Sequence, residues 1–287
     1  MRRWFADRRA DLSARLIYPS DKCSRWRAGG CRSSRMARVI TAGADIPWVH
    51  DSPFPARTGN VVRPLIDGLA AFRRICQVVE RARHSVFVTV AFIHPTFEMP
   101  DDRGSLFDVL ERAARRGLDV RVVFWRTEQE TQEYESTCFV GDAQQQEILG
   151  SRSSRISIRW DRAGDAFCHH QKSWIADAGT ASEIAFVGGM NLNPSCVVSP
   201  GHRDRADGSH DAYVEIRGPS AADVHRSFVQ RWNDASDRAV SGGVWGPKGQ
   251  RDLEEPTRPS SLCGSSVVQI QRTLRRSGER DIFRQYT

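Results

Sequence analysis

The sequence predicts an α/β sandwich with parallel strands. Two observations carry this. Segments with helical and strand character alternate from about residue 61, and the strands are β-branched or aromatic runs of buried type. A third bounds it: no run of 18 apolar residues exists, so no segment has the length and apolarity of a membrane-spanning helix.

Residues 1–58 read as an irregular or disordered extension, rich in Arg and Ser, with Gly29-Gly30 and prolines 47, 53 and 55. Order begins near Val61. Leu69, Phe72, Ile75, Val79 and Ala82 recur with helical period, and Ser85 to Ile93 is a strand. His94-Pro95 closes that strand. Leu106 to Arg116 is a helix with Leu106, Val109, Leu110 and Ala113 on one face, ended by Gly117. Asp119 to Trp125 is the next strand; Trp125 and Arg126 end it, where open α/β sheets bind ligands, so Arg126 is a candidate contact to a bound anion such as a phosphate.

Residues 127–150 are polar, a loop with some helix. Ile156 to Trp160, Lys172 to Asp177, Glu183 to Val187 and Asp211 to Ile216 are strands, with Ala178-Gly179-Thr180 as the turn between the second and third. Gly218-Pro219-Ser220 opens a helix whose apolar face is Val224, Phe228 and Trp232. Residues 236–262 read as a linker, SVVQIQRTLRR as a strand, and the end as a short helix. The expected domains are 1–58 as extension, 59–238 as the folded domain, and 239–287 as linker and the start of a further unit.

A chain of 287 residues buries a core without disulfides. Its seven cysteines are odd in number and scattered, with no CxxC, which argues against a disulfide scaffold or a zinc site. A cytoplasmic setting, peripheral at the membrane, is expected. Net charge is +7, which suits an anionic partner, although the basic N-terminal tail supplies part of it. Lysine occurs only at 22, 172 and 248, so Lys172 stands out.

Lys172 lies two residues after His170. On a strand these share a face. An imidazole can attack phosphorus, and an adjacent ammonium neutralises phosphoryl oxygens. Asp177 has the opposite parity and reads as a group fixing local geometry. Downstream, Gly188 and Gly189 would let backbone N–H groups approach an anion, and the Asn191 amide can donate to it. Asp211 is the candidate acceptor that sets the His170 tautomer. His169 is expected to face outward, Trp174 to pack in the core, and Cys168 to be structural.

With these residues in place the sequence resembles the phospholipase D superfamily, whose signature is H-x-K-x4-D followed by G-[GS]-x-N. His170, Lys172 and Asp177 match the first part; Gly188, Gly189 and Asn191 match the second. The segments HHQKSWIADAG, AFVGGMNLN and DAYVEIRGPSAADVHRSFVQRWN look like the bacterial phospholipase D and cardiolipin synthase branch, over roughly residues 60–240. The resemblance implies one half of an α-β-α sandwich enzyme that cleaves phospholipid phosphodiesters without metal or cofactor. His170 would be nucleophile or general acid, Lys172 and Asn191 would bind phosphate, and Asp211 would orient the histidine. The stretch from Asp177 to Gly188 exceeds the shortest family pattern.

The family pairs two such motifs. Of the eight histidines only His170 is followed by Lys two positions on. The tail from Ser265 resembles the opening of a second half, so a truncated chain is expected, with a homodimer sharing two identical motifs as the next option. A homodimeric nuclease and a catalytically dead half-domain are the alternatives, nucleic acid ranking below lipid.

Overall fold

A computed structural model of the protein describes residues 48–50, 52–126, 139–162, 168–202, 208–235, 243–247, 251–274 and 279–280. Most of the expected N-terminal extension and the expected C-terminal helix lie outside them.

The elements run β1 (Arg57–Ile66), α1 (Gly68–Arg81), β2 (Ser85–Val90), α2 (Leu106–Arg115), β3 (Asp119–Arg126), α3 (Ala143–Ser151), β4 (Ser157–Arg162), β5 (Ser173–Ala176), β6 (Ile184–Gly188), β7 (Ala212–Arg217), α4 (Ala221–Asn233), β8 (Val244–Trp245) and β9 (Ser266–Val268). A small hairpin of β10 (Thr273–Leu274) and β11 (Glu279–Arg280) follows. The main sheet has the order β8-β4-β3-β2-β5-β6-β7-β1-β9.

The α/β class holds, but the sheet is mixed rather than parallel. Among the described residues, only β2, β3 and β4 run parallel; β5 pairs antiparallel with β2, and β5, β6, β7, β1 and β9 are antiparallel in turn. The turn at 178–180 forces this, because consecutive strands joined by a short turn must run in opposite directions.

Alternation along the strands sorts the core into two layers. Val86, Val88 and Val90 of β2, Val120, Val122 and Phe124 of β3, and Trp174 of β5 face α1 and α2. Phe87, Val123, Ile175 and Ala185 point the other way, onto Val224, Phe228 and Trp232 of α4. Phe87 and Phe228 stack at 5.0 Å. The result is helix–sheet–helix.

Local chemistry fixes the helix ends. Ser105 and Asp108 make a reciprocal capping box at α2: Asp108 N–H donates to Ser105 Oγ at 3.2 Å, and Ser105 N–H donates to Asp108 Oδ2 at 2.8 Å. Past its far end, Gly117 takes φ 89°, the left-handed region a helix stop uses.

Two elements were not foreseen in the sequence. Strand β1 begins at Arg57, inside the expected extension, and runs through Pro64. Its residues 61–66 pair only with β7, since β9 meets β1 at Arg57 and Asn60 alone, so the missing N–H of Pro64 leaves no ladder bond unmade. Residues 251–262, expected as linker, lie on the α4 layer. Asn233 and Leu253 exchange two hydrogen bonds (2.8 and 2.9 Å), and Trp232 Nε1 donates to the Arg251 carbonyl at 2.8 Å.

Candidate active site

Strand directions collect the expected site residues at one edge of the sheet. β5 is antiparallel to β2, β6 to β5, and β7 to β6. The end of β2, the residues before β5, the end of β6 and the residues before β7 therefore converge. Phe92, His170 to Lys172, Gly188 to Asn191, and Asp211 occupy these positions. Asp177, after β5, sits at the opposite edge.

His170 and Lys172 do not lie within a strand; β5 begins at Ser173. Their side chains diverge in burial. His170 is exposed, while Lys172 is only 5% exposed and its Nζ donates to the His170 carbonyl at 3.1 Å. Burial pushes the Lys172 ammonium down to about 8, against the pull of Cys168, Asp211 and Cys196. Desolvation and the Lys172 charge hold the His170 imidazole below its ordinary value, with Asp211 opposing. The His170 ring meets Phe92 edge to face at 5.7 Å, and Phe92 in turn meets Trp125 at 5.1 Å. Trp125 is expected from the sequence at the end of a strand where ligands bind; Phe92 is not among the expected residues. The signal for Phe92 was present, since it follows the carboxyl end of a parallel strand.

Asp211 acts on His170 and Lys172 through space, and no hydrogen bond joins it to the His170 ring. Its Oδ1 instead accepts from the N–H of Ala212 at 2.7 Å. The two glycines also serve another purpose than expected. Gly188 N–H donates to the Lys172 carbonyl (3.3 Å) and Gly189 N–H to the Ala212 carbonyl (3.2 Å), so both are engaged within the sheet. What demands glycine is proximity: a Cβ at 188 would lie 2.5 Å from the Ala212 carbonyl oxygen, and one at 189 would lie 2.5 Å from Asp211 Oδ1.

Asn191 is anchored on both sides. Leu192 forms a bridge with Ile93, with Leu192 N–H donating to the Phe92 carbonyl at 3.2 Å. The Asn191 N–H donates to the buried Cys196 thiol. The Asn191 Oδ1 is buried without a hydrogen-bond partner among the described residues. The Asn191 backbone is thus anchored while its side-chain carbonyl is uncommitted among the described residues.

Asp177 has a left-handed backbone (φ 54°), and its Oδ1 accepts from the N–H groups of Arg83 and His84 at 2.8 and 2.7 Å. It ties the β5–β6 turn to the start of β2. His169, expected outward, is buried, with Nδ1 3.6 Å from Asp161 Oδ2. Burial and the neighbouring Arg231 push its imidazole down to about 4. The alternation that places a side chain outward holds only within a strand, and His169 precedes β5. Trp174 packs in the core as expected.

A family model described as cardiolipin synthase, PLD-like domain matches residues 75–232, which contain the histidine–lysine pair, the GGxN segment and Asp211. The chain belongs to the phospholipase D superfamily. Among curated members, it is 24% identical over 245 residues to phospholipase D B of Dictyostelium discoideum, covering 66% of this chain and 19% of that protein. It is 26% identical over 237 residues to phospholipase D gamma 1 of Arabidopsis thaliana, covering 67% and 27% respectively. The chain thus spans about a fifth and about a quarter of the length of these two phospholipase D relatives. Among solved structures, phosphatidylserine synthase of Haemophilus influenzae aligns at TM-score 0.43 and 16% identity, over 63% of this chain and 38% of that one.

No helix among the described residues is long and apolar enough to cross a membrane.

Proposed function

We propose that this edge of the sheet is one half of a phospholipase D active site acting on a phospholipid at a membrane surface. A His170 ring nitrogen attacks phosphorus, the P–O bond to the departing alcohol breaks, and a phosphohistidine forms. Water or a second alcohol then displaces His170, giving hydrolysis or phosphatidyl transfer. Lys172 and the Asn191 amide hold the phosphoryl oxygens. The departing alkoxide needs a proton, which a second imidazole supplies, from another copy of this chain or from a segment outside this sequence. Asp211 supports the imidazolium electrostatically rather than by a hydrogen bond.

One observation carries the reading. The Lys172 ammonium is buried, and its single hydrogen bond among the described residues goes to a neutral carbonyl. A buried cation is costly unless an anion meets it. A phosphodiester seated between Lys172 and His170 supplies that anion.

The test is headgroup release from phosphatidylcholine vesicles, run in parallel with cleavage of single-stranded DNA. Wild type should act on the vesicles, and His170→Ala should lose at least about a thousandfold in rate. Acid-labile, base-stable phosphate on wild type but not on His170→Ala would identify the intermediate. Activity near wild type in His170→Ala overturns the mechanism; cleavage of DNA alone makes the chain a nuclease.

A further inference from the structure

We infer that Asp67, His202 and His210 form a binding site for a divalent transition cation of zinc type, beside the proposed phosphate site but chemically separate from it. The three residues come from the β1–α1 junction, the segment after β6 and the residue before Asp211. One ligand atom of each lies within 4.8 Å of the others. His210 Nδ1 is 2.7 Å and His202 Nε2 3.4 Å from Asp67 Oδ1. Two ligands of a tetrahedral zinc at about 2.0–2.1 Å lie roughly 3.3 Å apart, so the 3.4 Å pair already fits and the 2.7 Å pair must open by roughly 0.6 Å.

Ordinary hydrogen bonding leaves too much unexplained. The Asp67 side chain is 0% exposed, yet among the described residues its Oδ2 has no hydrogen-bond partner, and neither does His202 Nε2. A wholly buried carboxylate with an orphan oxygen is costly. Asp67 also holds φ 61°, a conformation a non-glycine residue adopts at a cost, and its N–H is fixed by the Asp211 carbonyl at 2.9 Å. The backbone thus presents this carboxylate to the two imidazoles. Two nitrogens and one carboxylate oxygen are a zinc-type donor set with a fourth position for water. The His210 side chain is 71% exposed, which leaves an entry path. A cation here would clamp the β1–α1 junction to the start of β7, where Asp211 begins its approach to Lys172.

The experiment titrates the full chain, stripped with chelator, with Co(II), and reads the visible d–d bands of a low-symmetry site. Wild type and the exposed-histidine control His84→Gln should bind one equivalent with such bands. His202→Gln and His210→Gln should each bind at least tenfold more weakly, and their melting temperatures without metal should stay near wild type, so that lost binding is not lost folding. Zn(II) should raise the wild-type melting temperature and leave both variants unmoved. His170→Ala should bind Co(II) like wild type, which separates this site from the phosphodiester reading. No bands in wild type, or unchanged affinity in His202→Gln and His210→Gln, overturns the proposal.

Discussion

A side chain on Gly189 would collide with the carboxylate of Asp211, its Cβ falling 2.5 Å from Oδ1. The obstacle is the free end of a rotatable side chain. At Gly188 the corresponding obstacle is the Ala212 main-chain oxygen, also at 2.5 Å, which cannot rotate away. The two alanine variants should therefore differ in kind. Gly189→Ala should fold with a loss of about 1 kcal/mol or less and turn Asp211 aside, weakening binding of a phosphate analogue such as tungstate. Gly188→Ala should cost about 1–3 kcal/mol through strain in the β6–β7 pairing. Thermal denaturation and tungstate titration on both variants check this; equal stability loss in the two would refute it.

Lys172 sets a pH limit. Its ammonium is pushed down to about 8, chiefly by burial, and only the protonated form attracts an anion. Tungstate affinity should fall as pH rises through 8. Lys172→Arg should remove that fall, because a guanidinium stays charged throughout the range. The stability effect has the opposite direction. A lowered folded-state value means the charged form is disfavoured by folding, so the chain is less stable below pH 8 than above 10.5, the ordinary lysine value. Lys172→Met should consequently abolish tungstate binding while raising stability at pH 7 by on the order of 1–3 kcal/mol. A destabilised Lys172→Met would show that the buried cation is already satisfied.

The sequence shows why some of this site was legible and some not. Strand β2, helix α2 and strand β3 are strongly periodic, and the structure places them within a few residues of expectation. The signature residues His170, Lys172, Asn191 and Asp211 converge because strand order and direction bring their chain segments to one edge. Direction itself was misjudged, since alternating helix and strand suggested a parallel sheet while the 178–180 turn reversed it. Local parity failed for His169 and His170, which precede β5 rather than belong to it. Asp67 gave no sequence signal at all. It is one acidic residue between a strand and a helix, and its partners are 135 and 143 residues away in the chain, a separation that only folding closes.

Asp177 should matter for stability and not for ligand binding. Its carboxylate satisfies two backbone N–H groups, of Arg83 and His84, at the edge remote from Lys172. Asp177→Ala leaves both donors without that acceptor and places a side chain with no local hydrogen bond in a left-handed backbone; a loss of about 2–4 kcal/mol follows. Asp177→Asn keeps one acceptor oxygen and should recover about half. Tungstate affinity of the folded fraction should match wild type in both variants. A folded Asp177→Ala protein with strongly impaired tungstate binding would place Asp177 in the phosphate site instead.

Residues 251–262 are held by α4, and one side chain should release them. Asn233 donates to the Leu253 carbonyl at 2.8 Å and accepts the Leu253 N–H at 2.9 Å, closing a two-bond clasp. Next to it, Arg159, 1% exposed, donates to the Trp232 carbonyl at 2.7 Å and to Asp252 at 2.9 Å, with its guanidinium 4.5 Å from the Trp232 ring. Asn233→Ala removes the clasp but leaves the buried Arg159–Trp232 stack, so the domain should lose only about 1–2 kcal/mol. The segment itself should open more often, because around Leu253 the clasp is its backbone tie to α4, while Trp232 and Arg226 hold the Arg251 and Pro256 carbonyls on either side. Limited proteolysis should then cut within 251–262 about tenfold faster than in wild type, with the remaining domain intact. Trp232→Ala should act differently, costing about 3–5 kcal/mol by emptying a core position and removing the ring that the Arg159 guanidinium lies over, so that the whole domain becomes susceptible. If Asn233→Ala is cut no faster than wild type, the clasp is incidental and the α4 layer holds the segment by burial alone.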